Sequence, residues 1–221
     1  RDETAIDTIP LMLNKWGRNV LSLDDRLLRA LTQRMGITTA TTVQERAWPA
    51  ALLESKSCRI RAPTGSGKTL AYAVPVVQKL LLQKEVVPPR RALILVPTRE
   101  LCHQVNRVTQ VLTHYCHPNN TSLSTTTAIL TVGGHASAAS SCLQKSSSQQ
   151  QSNREEQRRQ WATLRDNPSI IIGTPSAVST AMTATNMDKS LIVDASFWKD
   201  QVSMVVLDEA DLLVNLGYEA D

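Results

Sequence analysis

The chain has 221 residues, 42% of them hydrophobic and 20% charged, and a formal net charge of +4. That length and composition suit an α/β domain with a substantial core and exclude disorder throughout. No apolar run approaches the roughly 18 residues that a spanning helix needs, so no membrane partner is expected. The small positive excess permits nucleic-acid binding without requiring it.

In chain order, residues 1–15 form a polar lead with an apolar patch at Ile9-Pro10-Leu11-Met12-Leu13. Ser22 and Asp24 offer N-caps for an amphipathic helix with Leu27, Leu28 and Leu31 on one face, closed by Gly36. Gln44 opens a short helix that runs from 45 to 53. A short strand at 58–60 leads into a glycine loop, and a helix follows over 70–84 with Pro75 early in it as a candidate kink. Pro88-Pro89 ends that pattern, and Arg90-Arg91 after it is expected to be a solvated loop. Residues 91–96, 125–132, 169–172 and 202–207 are the remaining strands, with a helix over 99–115. The last of them, Val202-Ser203-Met204-Val205-Val206-Leu207, has the apolar pattern of a strand buried on both faces. Strands alternating with helices predict an α/β fold with a doubly wound, mainly parallel sheet flanked by helices.

Residues 136–160 stand apart. Ser140, Ser141 and Ser146 to Ser148 run into Gln149, Gln150 and Gln151, followed by the charged stretch Arg154-Glu155-Glu156-Gln157-Arg158-Arg159. A helix over 154–164 is expected, with Glu155 and Arg159 one turn apart; the rest should be an exposed, mobile loop. Cys102, His103, His114, Cys116 and His117 invite a zinc site, but no C-x-x-C pair nucleates one and the two groups lie about three helical turns apart. Four cysteines without a disulfide-like framework suit a reducing compartment.

The chemistry concentrates in two places. Ala62-Pro63-Thr64-Gly65-Ser66-Gly67-Lys68-Thr69 has the spacing of the G-x-x-x-x-G-K-S/T phosphate loop, with Ala62 at the first glycine. Gly65 and Gly67 let backbone N–H groups close on phosphate oxygens, and the helix that follows adds the positive end of its dipole. Lys68 brings a charge to the β- and γ-phosphates, and the Thr69 hydroxyl is suited to Mg²⁺. The second place is Asp208-Glu209-Ala210-Asp211, delivered at the carboxyl end of a strand, where open α/β sheets bind ligands. There Asp208 is placed to hold Mg²⁺ through water, and Glu209 to polarise the water that attacks the γ-phosphate. A GTPase is disfavoured, because Asn14-Lys15-Trp16-Gly17 lacks the guanine-reading Asp and precedes the loop.

These residues resemble the DEAD-box RNA-dependent ATPases, named for the tetrapeptide at 208–211, over nearly the whole chain from Trp16 onward. The resemblance implies an N-terminal RecA-like domain that binds ATP and Mg²⁺. Gln44 matches the family's glutamine motif, which reads the adenine edge with its paired donor and acceptor. Pro97-Thr98-Arg99-Glu100 matches the first RNA motif, Gly133-Gly134 the paired glycines, and Thr174-Pro175 the next RNA motif. Taken from the residues alone, Glu100 could equally ion-pair with Arg99, and the two glycines could equally form a tight turn. RNA is the implied partner, held by its sugar-phosphate backbone with little base specificity.

The chain also departs from the family pattern. Ile37 stands where an aromatic is frequent, Ala40 where proline is usual, and Ser176-Ala177 where Gly-Arg often follows Thr-Pro. The adenine-stacking aromatic is expected near residues 18 and 19, and Trp16 is the nearest candidate. Relative to the family, residues 136–160 contain an insertion, either a tolerated loop expansion or a partner-docking tract. The segment after the acidic motif, Leu212-Leu213-Val214-Asn215-Leu216-Gly217-Tyr218-Glu219, looks like the subgroup serving large-ribosomal-subunit assembly. That implies assembly proteins as partners and an intracellular site, in the nucleolus, nucleus or mitochondrion. The family's Ser-Ala-Thr motif and second RecA-like domain, with its arginine finger, are not in this sequence, so the fragment alone should turn ATP over negligibly. Two functions follow from these residues: an ATP-dependent RNA helicase, or an ATP-gated RNA clamp or assembly factor with little unwinding. A DNA helicase fits the chemistry alone, and the resemblance at Gln44 and 208–211 favours RNA.

Overall fold

The computed structural model describes residues 23–54, 56–82, 90–116, 127–131, 147–184 and 195–216. The lead at 1–15, Trp16, Gly133, Gly134 and the start of the Ser/Gln tract lie outside them. The chain divides into two compact units, Arg1–Glu85 with Arg107–Thr125, and Val86–Asn106 with Thr126–Asp221.

The first unit is helical among the described residues. Helix α1, Asp25–Arg29, starts at Asp24, whose carboxylate accepts from the Arg26 backbone N–H at 3.0 Å and pairs with its guanidinium at 2.9 Å. It continues as a π-turn, Ala30–Arg34. Gly36 then takes φ +64° and the Ile37 N–H donates to the Leu31 carbonyl at 2.9 Å, the left-handed closure that its glycine predicts. Helix α2, Thr42–Leu52, begins three residues earlier than the sequence suggests, because Thr41 and Gln44 form a reciprocal capping box. Helix α3, Lys68–Leu81, buries Ala71, Val74, Val77, Leu80 and Leu81, and α2 packs along it. The strand expected at 58–60 does not form. Cys58 and Arg59 are exposed, and no ladder among the described residues gives that backbone the paired neighbour that a strand requires.

In the second unit, β1 (Arg91–Leu95), β2 (Thr127–Leu130), β3 (Ile170–Gly173) and β4 (Val202–Leu207) make a parallel sheet in the order β2-β3-β1-β4. Ile170, Ile171 and Ile172 are fully buried in central β3, as a covered parallel strand demands. Helices α5 (Ser147–Arg165), α6 (Pro175–Ala184), α7 (Ala195–Gln201) and α8 (Ala210–Asn215) accompany the strands, as does the start of α4 (Arg99–Leu112), whose residues from Arg107 onward belong to the first unit. Leu93, Leu130, Ile171, Leu164, Val178, Phe197 and Trp198 share one core cluster.

Three expectations change. β4 is not buried on both faces: its side chains alternate between the two, and Val205 and Leu207 are 59% and 57% exposed on the same face. Helix α5 reaches back to Ser147, so part of the tract expected as a loop is helical, in keeping with the helix propensity of its Gln, Arg and Glu residues. Arg91 is not solvated but 1% exposed. Its guanidinium donates to the Pro168 carbonyl, Asn167 Oδ1 and Gln201 Oε1, and lies 4.4 Å over the Phe197 ring. Burial pulls its pKa down to about 10, which leaves it cationic at neutral pH.

Gly173 marks the tightest approach in this sheet. A Cβ there would meet Val178 Cγ2 at 2.8 Å and the Leu130 carbonyl oxygen at 2.9 Å. Since the carbonyl belongs to the neighbouring strand, it cannot step aside. Gly173→Ala is expected to cost about 2 kcal/mol and lower Tm by about 6 °C in a thermal melt.

Candidate functional site

In the first unit, the phosphate loop joins a stretch without regular structure to the N-terminus of α3. Gly65 and Gly67 hold φ +79° and +92°, conformations that place the loop's backbone where an L side chain would strain it. At Gly67 space is also closed, because a Cβ would lie 2.6 Å from Gln44 Nε2. Lys68 Nζ folds across the loop and donates to the Ala62 and Pro63 carbonyls at 2.8 and 3.3 Å. Ser66 Oγ is buried and has no hydrogen-bond partner among the described residues. An orphaned hydroxyl and an ammonium held only by loop carbonyls form a donor set that fits phosphate oxygens.

Gln44 is 2% exposed and touches this loop directly. Its Oε1 accepts from the Thr41 N–H at 3.0 Å, and its Nε2 donates to the Gly67 carbonyl at 3.3 Å. One amide hydrogen and one lone pair are not committed by these two bonds. Thr41 therefore shapes the site by orienting Gln44, and the Thr41-x-x-Gln44 spacing is the sequence signal for that capping box. Trp48 supports the loop as well. Its indole N–H donates to the Leu70 carbonyl at 3.3 Å and fixes the first turn of α3 from α2.

In the second unit, the parallel ladder continues past the strand ends. The Thr174 N–H donates to the Leu130 carbonyl (3.1 Å), the Val96 N–H to the Gly173 carbonyl (3.0 Å), and the Asp208 N–H to the Leu95 carbonyl (2.9 Å). These bonds set Thr131, Thr174-Pro175, Pro97-Thr98-Arg99 and Asp208-Glu209 in a row along the carboxyl edge of the sheet. Thr98 caps α4: its hydroxyl accepts from the Leu101 N–H at 3.3 Å, while Arg99 and Glu100 are exposed at the helix entry. Thr174 and Pro175 are buried at the start of α6, with proline at the first helical position, which suits it. The backbone here is committed as well: the Thr174 carbonyl accepts from the Ala177 and Val178 N–H groups at 3.1 and 3.0 Å, and Pro175 has no N–H.

Asp208 and Glu209 are half-buried. Asp208 Oδ1 accepts from the Glu209 N–H at 3.0 Å, and Glu209 sits at φ 49°, ψ 49°, the left-handed region that a residue with a long side chain seldom adopts. Such strain collects where function requires a particular side-chain direction. The Asp208 carboxylate and the Thr69 hydroxyl are each hard oxygen donors of the kind that Mg²⁺ takes. By contrast, burial pushes the Cys102 thiol up to about 12, so it is a poor metal ligand, and His103 is exposed. Among the described residues, no group of three or more His, Cys, Asp or Glu side chains gathers. No described helix is long and apolar enough to cross a membrane.

A phosphate-type glycine loop at a helix N-terminus, and an acidic pair closing a parallel strand, define an α/β domain of the P-loop class. The chain belongs to the DEAD/DEAH box helicase family, whose model matches residues 41–221. It is similar to the ATP-dependent RNA helicase DBP9 of Candida glabrata, with 34% identity over 204 residues covering 90% of this chain and 28% of that protein. Its identity to the DEAD-box ATP-dependent RNA helicase 16 of Arabidopsis thaliana is 34% over 203 residues, covering 90% of this chain and 27% of that protein. Among solved structures, the yeast DEAD-box splicing factor Prp28 superposes with a TM-score of 0.64 at 26% identity, over 92% of this chain and 40% of that one. The parallel sheet and its helices are the RecA-like fold that the motifs imply. The chain spans only 28% and 27% of the two relatives' lengths.

The backbone at Glu209 separates fold from chemistry. Glu209→Gly removes the strain of a left-handed non-glycine residue, so stability should stay level or rise by up to about 1 kcal/mol in denaturant titration.

Proposed function

We propose that this chain is the first ATP-binding domain of an RNA-dependent ATPase that works as an RNA helicase. The observation that carries the reading is the row of Thr174-Pro175, Pro97-Thr98-Arg99 and Asp208-Glu209 along one sheet edge. It sets the residues matching the family's RNA motifs beside the acidic pair in one rigid ladder, and family membership supports assigning both roles.

In this reading the first unit takes the nucleotide. Thr64, Gly65, Ser66, Gly67, Lys68 and Thr69 hold the phosphates, and Lys68 exchanges its loop carbonyls for β- and γ-oxygens. Gln44 offers its remaining donor and acceptor to the adenine edge, so loop and base recognition share one side chain. Family membership supports Thr69 and Asp208 each as an oxygen donor for Mg²⁺, an ion that when bound neutralises charge on the phosphates. Glu209 orients the attacking water and takes its proton. RNA is gripped through its backbone by Pro97, Thr98, Arg99, Glu100, Thr174, Pro175 and the glycines Gly133 and Gly134, with Arg99 as the exposed cation. Full catalysis needs a second RecA-like domain. The stretch at 212–219 supports a role in ribosome or ribonucleoprotein assembly, with assembly proteins as partners and a nucleolar, nuclear or mitochondrial setting.

Steady-state ATP hydrolysis by the full parent protein, with and without single-stranded RNA, tests this. RNA should stimulate turnover strongly. Lys68→Ala should weaken ATP binding about 10- to 100-fold through loss of charge-assisted bonds. Glu209→Gln should keep ATP affinity and slow turnover by about 100-fold or more. Nucleotide binding without RNA stimulation would count against the helicase reading and favour an ATP-gated clamp or assembly factor. If both substitutions removed binding equally, Glu209 would not be the residue that handles water.

A further inference from the structure

β2 is an outer strand of four residues, paired only with β3 among the described residues. A strand so short and one-sided has little of its own to hold its exit in place. Its last carbonyl, on Leu130, accepts from Thr174. The next residue, Thr131, has moved past the ladder, yet it is only 4% exposed. Helix α5 accounts for this. Gln160 Oε1 accepts from the Thr131 N–H at 2.8 Å, and Gln160 Nε2 donates to Thr131 Oγ1 at 2.9 Å. One amide thus grips both the backbone and the side chain of a single residue. Nε2 also donates to Glu156 Oε1 at 3.3 Å, one turn earlier on the helix, which fixes the amide's orientation.

The helix that presents this amide is itself anchored. Leu164 is fully buried in the sheet's core cluster, and Trp161 packs against the same cluster. Gln160 therefore transmits the position of a core-anchored helix to the carboxyl end of β2, next to Thr174-Pro175. Nothing in the assigned motifs includes Gln160, Glu156 or Thr131.

We propose that Gln160 is a positioning residue for RNA engagement. It holds the exit of β2 against Thr174, so that the segments that follow the strand ends keep a fixed spacing along the sheet edge toward the sugar-phosphate chain. The inference rests on the RNA-dependent reading above and extends it to a residue that touches neither nucleotide nor nucleic acid. The role concerns binding geometry, so its signature is a change in the response to RNA and not to ATP.

The test uses the full parent protein and a uridine homopolymer as RNA. In Gln160→Ala, the RNA concentration giving half-maximal ATPase stimulation should rise about fivefold to tenfold, the equivalent of one net hydrogen bond. KM for ATP and turnover at saturating RNA should stay within about twofold of the starting protein. Thr131→Val, which keeps the N–H but loses the hydroxyl, should show a smaller shift, and adding it to Gln160→Ala should change nothing further. The paired exchange Gln160→Glu with Glu156→Gln restores a donor between the two helix positions and leaves Thr131 an acceptor for both its N–H and its hydroxyl. That pair should recover most of the RNA response.

An unchanged RNA response in Gln160→Ala overturns the proposal. So does an equal loss of RNA and ATP affinity together with a lowered Tm, the mark of a merely structural contact. A parent protein that binds ATP but shows no RNA stimulation overturns the RNA reading itself, and this inference with it. Stimulation in the parent with an unaffected Gln160→Ala overturns this inference alone.

Discussion

The parallel ladder centred on β3 is the constraint on which the second unit depends, and its reach past the strand ends matters most. Backbone N–H groups of Thr174, Val96 and Asp208 each donate to a carbonyl on the neighbouring strand, at Leu130, Gly173 and Leu95. Parallel hydrogen bonds are slanted and evenly spaced, so each added bond carries the register one step further toward the loops. Residues far apart in sequence, around 97, 131, 174 and 208, are brought side by side by main-chain geometry, whatever their side chains. Gly173 lies at the centre of that arrangement, because the strands and α6 approach too closely there for any side chain.

The amino ends of the same strands are held by a different device. Arg91 at the start of β1 ties together the turn before β3, through Pro168 and Asn167, and the end of α7, through Gln201. A buried cation without a carboxylate partner is costly unless its donors are satisfied. Here carbonyl and amide oxygens and the Phe197 face supply the compensation. The sheet is thus secured by a side chain at one end and is open to chemistry at the other. Its acidic turn carries strain at Glu209, which the ladder bond from Asp208 to Leu95 holds in place.

The phosphate loop follows a related logic in the first unit. Its two left-handed glycines would leave it loose, yet Gln44 reaches in from α2 to bond the Gly67 carbonyl, and Trp48 fixes the next turn. Pre-organisation of this kind lowers the cost of ordering the loop around a ligand. It also gives Gln44 a structural reason to be where it is, beside any role toward the base.

Local chemistry was legible in the sequence wherever it is carried by neighbours in the chain. The loop at 62–69, the acidic tetrapeptide, the glycine closure at Gly36 and the strand near 169–172 all depend on residues within one turn or one strand. Burial of Arg91 was not legible, because its partners lie about 77 and 110 positions away and a basic pair beside two prolines has the look of a surface loop. The same holds for Gln160, whose amide is unremarkable in a Gln- and Arg-rich helix until Thr131 is beside it. β4 is a related case: an apolar run cannot say whether one face of its strand is covered or both, and here every second side chain is exposed. By itself, the sequence determined the phosphate loop, the acidic pair, the family and the four strands of the parallel sheet, since these are properties of contiguous residues and their spacing. Strand order, the bonding of Gln44 to the loop, the strain at Glu209 and the grip of Gln160 on β2 were decided only by the tertiary structure, because each depends on which distant backbone group lies within hydrogen-bond reach.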